Sequence, residues 1–217
     1  MSAKVITIDG PSGVGKGTLA RLLAKKLNYH LLDSGAIYRL AALQVINRQI
    51  DPKDEMALLN AVKQLKIGFK VIDGKTHAYL AKQDVSDKIR QESVGMMASE
   101  IASIAEVRAV LLQKQRDFAK LPGLVADGRD MGTVVFPDAD KKFFLEANSE
   151  VRAKRRYDEL IAKGVMADFN EILAQLEKRD TQDKNRKTAP LIAAEDAVII
   201  DTSYLSIEEV FNLMALS

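Results

Sequence analysis

Two hydrophobic periods alternate along the chain. Five short apolar runs, Val5–Asp9, His30–Asp33, Leu124–Asp127, Lys142–Glu146 and Val198–Asp201, have the compact form of strands buried within a sheet. Between them apolar residues recur at helical spacing. After the first run, Leu19, Leu22, Leu23 and Leu27 fall on one helical face. Buried strands alternating with amphipathic helices predict an α/β fold: a five-stranded parallel sheet flanked by helices.

The alternation breaks between about Asn60 and Ala105. Ile67–Ile72 alternates like a half-exposed strand, Asp73-Gly74 is a hairpin-type turn, and His77–Ala81 returns. Ser86 and Asp87 are placed to cap a short helix. Helices are then predicted over Glu92–Ser103 and Glu106–Lys120, the second with Val107, Val110, Leu111 and Phe118 on its apolar face. This predicts a small α+β insertion, residues 60–105, in a single unit whose core is 1–59 and 106–217.

Composition narrows the class. The 217 residues are 47% hydrophobic and 29% charged, ordinary for a globular chain, and a net charge of +2 gives no electrostatic case for a nucleic-acid or membrane surface. There is no cysteine, which excludes disulfides, zinc thiolates and a thiol nucleophile. Lys4 and Asp9 interrupt the N-terminus before any signal-peptide core, and no uncharged run approaches a membrane span. The expectation is a cytoplasmic protein without membrane or nucleic-acid partners.

Candidate chemistry begins where the first strand ends. Gly10-Pro11-Ser12-Gly13-Val14-Gly15-Lys16-Gly17-Thr18 contains G-x-x-x-x-G-K, the phosphate-binding P-loop, between a predicted strand and a predicted helix. Glycines let backbone N–H groups turn around a phosphate, the helix start adds its dipole, and Lys16 adds a full charge. Gly17 follows the lysine where Ser or Thr is usual, so a hydroxyl for Mg²⁺ must come from Thr18. Leu124-Val125-Ala126-Asp127 has the form of a Walker-B segment, whose carboxylate meets Mg²⁺ directly or through water. The aspartates ending two other strands, Asp9 and Asp201, are read as structural, as are His30 and His77. In the charged stretch from Ser149 to Lys187, Arg152 with Arg156, and Arg179 with Asp183 and Arg186, sit one or two helical turns apart and could each converge on a phosphoryl group.

Three further segments, Leu32–Arg39 (LDSGAIYR), Ala126–Thr133 (ADGRDMGT) and Arg179–Arg186 (RDTQDKNR), resemble the bacterial cytidylate kinases, nucleoside-monophosphate kinases with a P-loop. A Gly-Thr pair after the loop lysine is typical of these kinases. Asp84-Val85-Ser86 and Ile89-Arg90 match the enlarged monophosphate-binding lobe of the bacterial enzymes. The resemblance covers nearly the whole chain. It implies a P-loop NTPase fold and transfer of the ATP γ-phosphate to CMP or dCMP with Mg²⁺. Residues 10–18 then hold ATP, while Lys16, Arg129, Arg179, Arg186, Arg152 and Arg156 serve the transferring phosphate. It assigns CMP to Ser34, Arg39, Ser99, Arg108, Arg129, Asp130, Arg179, Asp183 and Arg186, with Asp130 and Arg108 reading the base. Arg179 and Asp183 fall near the sugar hydroxyls. Arg152 and Arg156 belong to a short helical lid over 149–165, and the protein is expected to be a monomer.

Another small P-loop kinase, for UMP, a different monophosphate or shikimate, shares the loop and lid but does not need Asp130 and Arg108 together. A regulatory GTPase would need D-x-x-G and N-K-x-D, and neither occurs in the chain. A nucleic-acid-binding ATPase would want a basic stripe with stacking aromatics, and the chain has no Trp and 6% aromatics.

Overall fold

The computed structural model describes residues 3–72 and 75–216. The turn predicted at Asp73-Gly74 lies outside them. The chain divides into two compact units, one of Met1–Leu32 with Arg116–Ser217 and the other of Asp33–Gln115.

The elements in chain order are β1 (Lys4–Asp9), α1 (Lys16–Leu27), β2 (His30–Asp33), α2 (Ser34–Asn47), α3 (Glu55–Lys63), β3 (Ile67–Ile72), β4 (Lys75–Leu80), β5 (Gln83–Asp84), α4 (Glu92–Ile101), α5 (Ala105–Arg116), β6 (Gly123–Gly128), β7 (Lys141–Glu146), α6 (Ser149–Ala162), α7 (Phe169–Lys184), β8 (Val198–Asp201) and α8 (Ile207–Leu216). A five-stranded sheet in the order β2-β6-β1-β7-β8 forms the first unit, as expected. β1 pairs in parallel with β6 and β7, and β7 with β8. Its position between two neighbours explains why Ile8 is fully buried. On one side it meets Leu19 and Leu23 of α1, and Val125, Phe143, Leu145, Val210 and Met214 complete the core.

The buried stripe of α1 is not the predicted one. Leu19 (0%) and Leu23 (4%) are buried, but Leu22 (40%) and Leu27 (37%) are exposed. Ala20 and Ala24 take the core positions beside them, because their small side chains admit the sheet closely. α6 and α7 pack on each other through Ala153, Ile172 and Leu176, with Tyr157 set edge-on to Phe169. The stretch proposed as a lid, 149–165, is thus one partner of a helical hairpin with a small core of its own.

In the second unit α2 is central. Ile37, Leu40, Ala41, Ala42, Leu43 and Val45 are buried around its circumference, and it packs against α3, α4 and β4. A helix apolar on all sides must be covered on all sides. For this reason the unit begins at Asp33 and takes in α2, α3 and most of α5, where the sequence reading places α2, the first part of α3 and α5 with the core segments 1–59 and 106–217. The antiparallel sheet β3-β4-β5 belongs to the same unit. Lys88–Arg90 forms the short helix expected after Ser86 and Asp87, as a single 3-10 turn. Neither residue caps it by its side chain: the Ser86 hydroxyl instead accepts from the Ala78 N–H at 2.9 Å and donates to Asp84. α5 ends at Arg116, so Phe118 lies beyond its apolar face. That face holds Val107 and Leu111 together with two polar residues, Arg108 and Gln115.

Candidate functional site

The phosphate loop is shaped by close packing at its first residue. A Cβ on Gly10 would sit 2.2 Å from the carbonyl oxygen of Leu145 in β7, which only glycine avoids. Gly13 and Gly15 turn the chain at φ 84° and 93°. α1 then starts at Lys16 with no side chain capping its first turn. Three loop carbonyls are held by side chains, two of them from outside the loop. Lys16 Nζ donates to Pro11 O at 2.6 Å, Arg152 Nη1 to Ser12 O at 3.0 Å, and the Thr202 hydroxyl to Val14 O at 3.4 Å. Thr202 is itself engaged by Arg155, whose Nη2 donates to its carbonyl at 2.5 Å. In a trans peptide the following N–H points opposite the carbonyl. Fixing these carbonyls therefore turns the amides of Ser12, Gly13 and Gly15 the other way, as a cradle for an anion.

Arg152 and Arg156 do not converge. Arg152 is 3% exposed and makes a two-pronged pair with Asp180 (3.2 and 2.5 Å), while Nε donates to Ala147 O. Arg156, one turn on, is half-exposed and pairs with Glu159 at 3.0 Å. The shared helix face brings their backbones together, but the half-buried carboxylate of Asp180 claims the first guanidinium.

A second set of cations does gather at the loop. Arg129 follows β6 and donates to the Ser12 hydroxyl at 2.6 Å and to Asp183 Oδ2 at 2.7 Å. The other oxygen of Asp183 accepts from Arg186. Asp183, 4% exposed, thus joins two arginines that the sequence leaves far apart. Arg179, on the same helix, is half-buried. Asp127, at the end of β6 and 8% exposed, has Oδ2 4.0 Å from where a Cβ on Gly17 would stand. The Thr18 hydroxyl accepts from Arg21 at 3.2 Å.

Asp130 is 3% exposed and stands at the head of a π-helical turn, Met131–Val135. Beneath that turn, Asp9 accepts from the N–H of Met131 at 2.8 Å and of Gly132 at 2.7 Å. Burial, with a smaller contribution from the Asp130 charge, pushes the Asp9 carboxyl up from 3.8 to about 6, against the backbone donors and the Lys16 charge that lower it. A raised pKa means that the folded state holds the proton more tightly than the unfolded chain. Asp9's contribution to stability is therefore complete below about 3.8 and lost as pH rises through about 6. Melting curves between pH 5 and 7.5 should show the parent losing more stability with rising pH than Asp9→Asn; equal slopes would contradict the shift. Asp201, by contrast, is held low by the hydroxyl and N–H of Ser203, in keeping with a turn-forming role. His30 bonds to Leu121 O and His77 to Asp84, so both histidines serve the structure.

The remaining candidates lie in the second unit. Ser34 opens α2, with its hydroxyl donating to Gln115 Oε1 at 2.7 Å. Arg39 donates to Ile89 O at 2.8 Å. Arg108 is 7% exposed, with its guanidinium over the Tyr38 ring at 5.7 Å and Nη1 donating to Ala102 O at 3.3 Å. Ser99 donates to Gly95 O within α4. Arg108 and Gln115 are thus two buried polar residues on an otherwise apolar helix face.

Sequence reasoning passed over the supports of this site: Asp180 beneath Arg152, Thr202 behind Val14, and Gln115 behind Ser34. Asp180 lies within the Arg179–Arg186 segment without a role of its own there, and Thr202 and Gln115 are polar residues with no motif to announce them.

The family model described as cytidylate kinase matches residues 6–216. The cytidylate kinase of Aeromonas salmonicida is 51% identical over 96% of this chain and 90% of its own length. Those of Serratia proteamaculans (51% identical, 97% and 92% covered) and Pasteurella multocida (52%, 95% and 91%) are similarly related.

Proposed function

The chain belongs to the cytidylate kinase family, and from that premise we propose how its residues divide the work of moving the γ-phosphate of ATP to CMP or dCMP. The observation that carries the reading is Arg129, whose side chain bridges Ser12 of the phosphate loop and Asp183. A group tied to the donor loop and cationic enough to hold an acceptor phosphate suits a reaction between two phosphates.

Residues 10–18 hold the ATP phosphates through backbone amides and the Lys16 ammonium. Asp127 and the Thr18 hydroxyl are hard oxygen donors near the start of α1, a set that fits a magnesium ion taking its other ligands from phosphate and water. When bound, that ion neutralises charge on the phosphates. The acceptor oxygen attacks in line, so no side chain serves as a covalent nucleophile, and the protein's share is orientation and charge. Arg129 and Arg186, aligned by Asp183, receive the monophosphate together with Arg39 and Ser34. Arg152, Arg156 and Arg179 supply charge toward the transferring group. Arg152 would leave or share Asp180 to do so. Asp183, with both oxygens on arginines, reaches a sugar hydroxyl only by sharing.

Asp130 accepts from the cytosine amino group, and Arg108, with Ser99, donates to the ring acceptors. Uracil offers a carbonyl where cytosine has the amino group, which an ionised Asp130 repels. Asp130→Ala should therefore narrow the CMP-over-UMP ratio of kcat/KM by the worth of a charge-assisted contact, about 1.5–3 kcal/mol. An unchanged ratio would make Asp130 a support of Arg129 rather than a reader of the base. The overall reading is tested by offering CMP, dCMP, UMP, AMP and GMP with ATP and Mg²⁺; a preference for AMP or GMP would overturn it.

The working form is a cytoplasmic monomer acting on free nucleotides. No helix among the described residues is long and apolar enough to cross a membrane. Sedimentation at assay concentrations tests the monomer.

A further inference from the structure

Arg129 and Asp130 project from a connection with little regular structure of its own: β6 ends at Gly128, and a five-residue π-helical turn begins at Met131. What holds it is β1. Asp9 gives one oxygen to the Met131 N–H at 2.8 Å and the other to the Gly132 N–H at 2.7 Å. Above that contact the backbone lies flush on the sheet. A Cβ on Gly132 would stand 2.9 Å from Thr7 Oγ1 and 3.1 Å from Lys142 Cδ, and one on Gly128 would stand 2.9 Å from Met131 Cγ.

We propose that Asp9 is a positioning residue for the acceptor nucleotide: its two oxygens lock the backbone that follows Asp130, and thereby aim Arg129 and Asp130. The proposal rests on the reading of those two residues as acceptor-binding. The side-chain chemistry explains why the position is an aspartate. Two neighbouring N–H groups converge on one short side chain, so both of its polar atoms must accept and neither may donate. An ionised carboxylate meets that demand; an amide presents its NH2 to one of the two donors. The charged groups that face the carboxylate are Lys16, which favours the ionised form, and Asp130, which opposes it. The lysine of the donor loop therefore sustains the charge of the group that aligns the acceptor.

The test compares parent, Asp9→Asn, Gly132→Ala and Asp130→Ala as full-length protein. KM for CMP and for ATP, the CMP-over-UMP ratio of kcat/KM, melting temperature, and amide exchange at Met131 and Gly132 are measured for each. Asp9→Asn should stay folded, raise KM for CMP by about 10- to 100-fold with KM for ATP within about threefold, narrow the CMP-over-UMP ratio, and speed exchange at both amides. Gly132→Ala, which lifts the same backbone from Thr7 without removing a charge, should give the same CMP-side loss. A folded Asp9→Asn with KM for CMP within about twofold of the parent overturns the proposal, as does a proportionate rise in both KM values. If Asp9→Asn fails to fold, a folded Gly132→Ala with parental KM for CMP overturns it. If Asp130→Ala leaves the base ratio unchanged, the base-reading role fails by itself; the KM for CMP of Asp9→Asn still decides whether Asp9 aligns Arg129.

Discussion

Replacing Lys16 by alanine should lower kcat/KM for phosphoryl transfer by about 10²-fold or more while the protein remains folded. Lys16 is 7% exposed and its ammonium is held over the loop by Pro11 O at 2.6 Å, so its direction is set before substrate arrives. Charge that develops on the transferring phosphate meets a cation requiring little reorganisation, and this makes one lysine worth so much. The fold should tolerate the change. Lys16 occupies the first position of α1, where alanine is a good helix former, and the core is made by Leu19, Leu23 and their sheet partners. The loss of charge should also be felt at Asp9, whose carboxyl Lys16 helps to keep ionised, and the variant should titrate that group at still higher pH. Steady-state kinetics beside a circular-dichroism melt decide the matter. Activity within a few-fold of the parent in a folded variant would remove Lys16 from the mechanism.

Asp183→Ala should be the most destabilising of the substitutions considered, by about 3 kcal/mol, the lower end of the range for breaking a buried ion pair. Asp183 takes Arg129 Nε on one oxygen at 2.7 Å and Arg186 on the other, and its side chain is 6% exposed. Removing it takes away the carboxylate that separates two neighbouring cations. Two features moderate the loss: the Arg129 side chain is 25% exposed, so water reaches it, and it keeps the Ser12 hydroxyl. Asp183→Asn should recover part of the stability, since the amide oxygen still accepts from one arginine. Activity should fall in both variants, with KM for CMP rising as the two guanidinium groups lose their alignment. Urea denaturation at constant slope measures the first effect and acceptor titration the second. A change in stability below about 0.5 kcal/mol would mean that the pair of arginines needs no carboxylate.

Sheet and phosphate loop were legible because their signals are local. Each strand of the sheet carries a short apolar run, in the edge strands β2 and β8 as well as in β6, β1 and β7, and these runs mark the strand limits to within a residue. The loop needs its glycines at set spacing. Where the reading slipped, the deciding contact was distant in sequence or too subtle in size. Leu22 and Leu27 read as core on the helical wheel, but Ala20 and Ala24 allow the closer approach to the sheet. A helix buried all round, as α2 is, has no polar face to say which neighbour it serves, so its pattern alone does not fix the unit it packs in. Arg152 and Asp180 stand 28 positions apart, and Asp9 and Gly132 123 apart, with no pattern that would pair them. In α5, Arg108 was named through family resemblance, while its neighbour on the same buried face, Gln115, had no such guide.

The unfinished amino end of α1 has a thermodynamic consequence. A helix whose first turn lacks a side-chain cap is completed by whatever anion settles there, so nucleotide belongs to the native state's energetics as well as to catalysis. At a concentration about 100-fold above its dissociation constant, a ligand that binds only the folded form adds roughly 2.7 kcal/mol. Destabilised variants would then survive where nucleotide is plentiful and be cleared by proteolysis when the pool falls. The abundance of this protein would in that way track the supply of what it consumes.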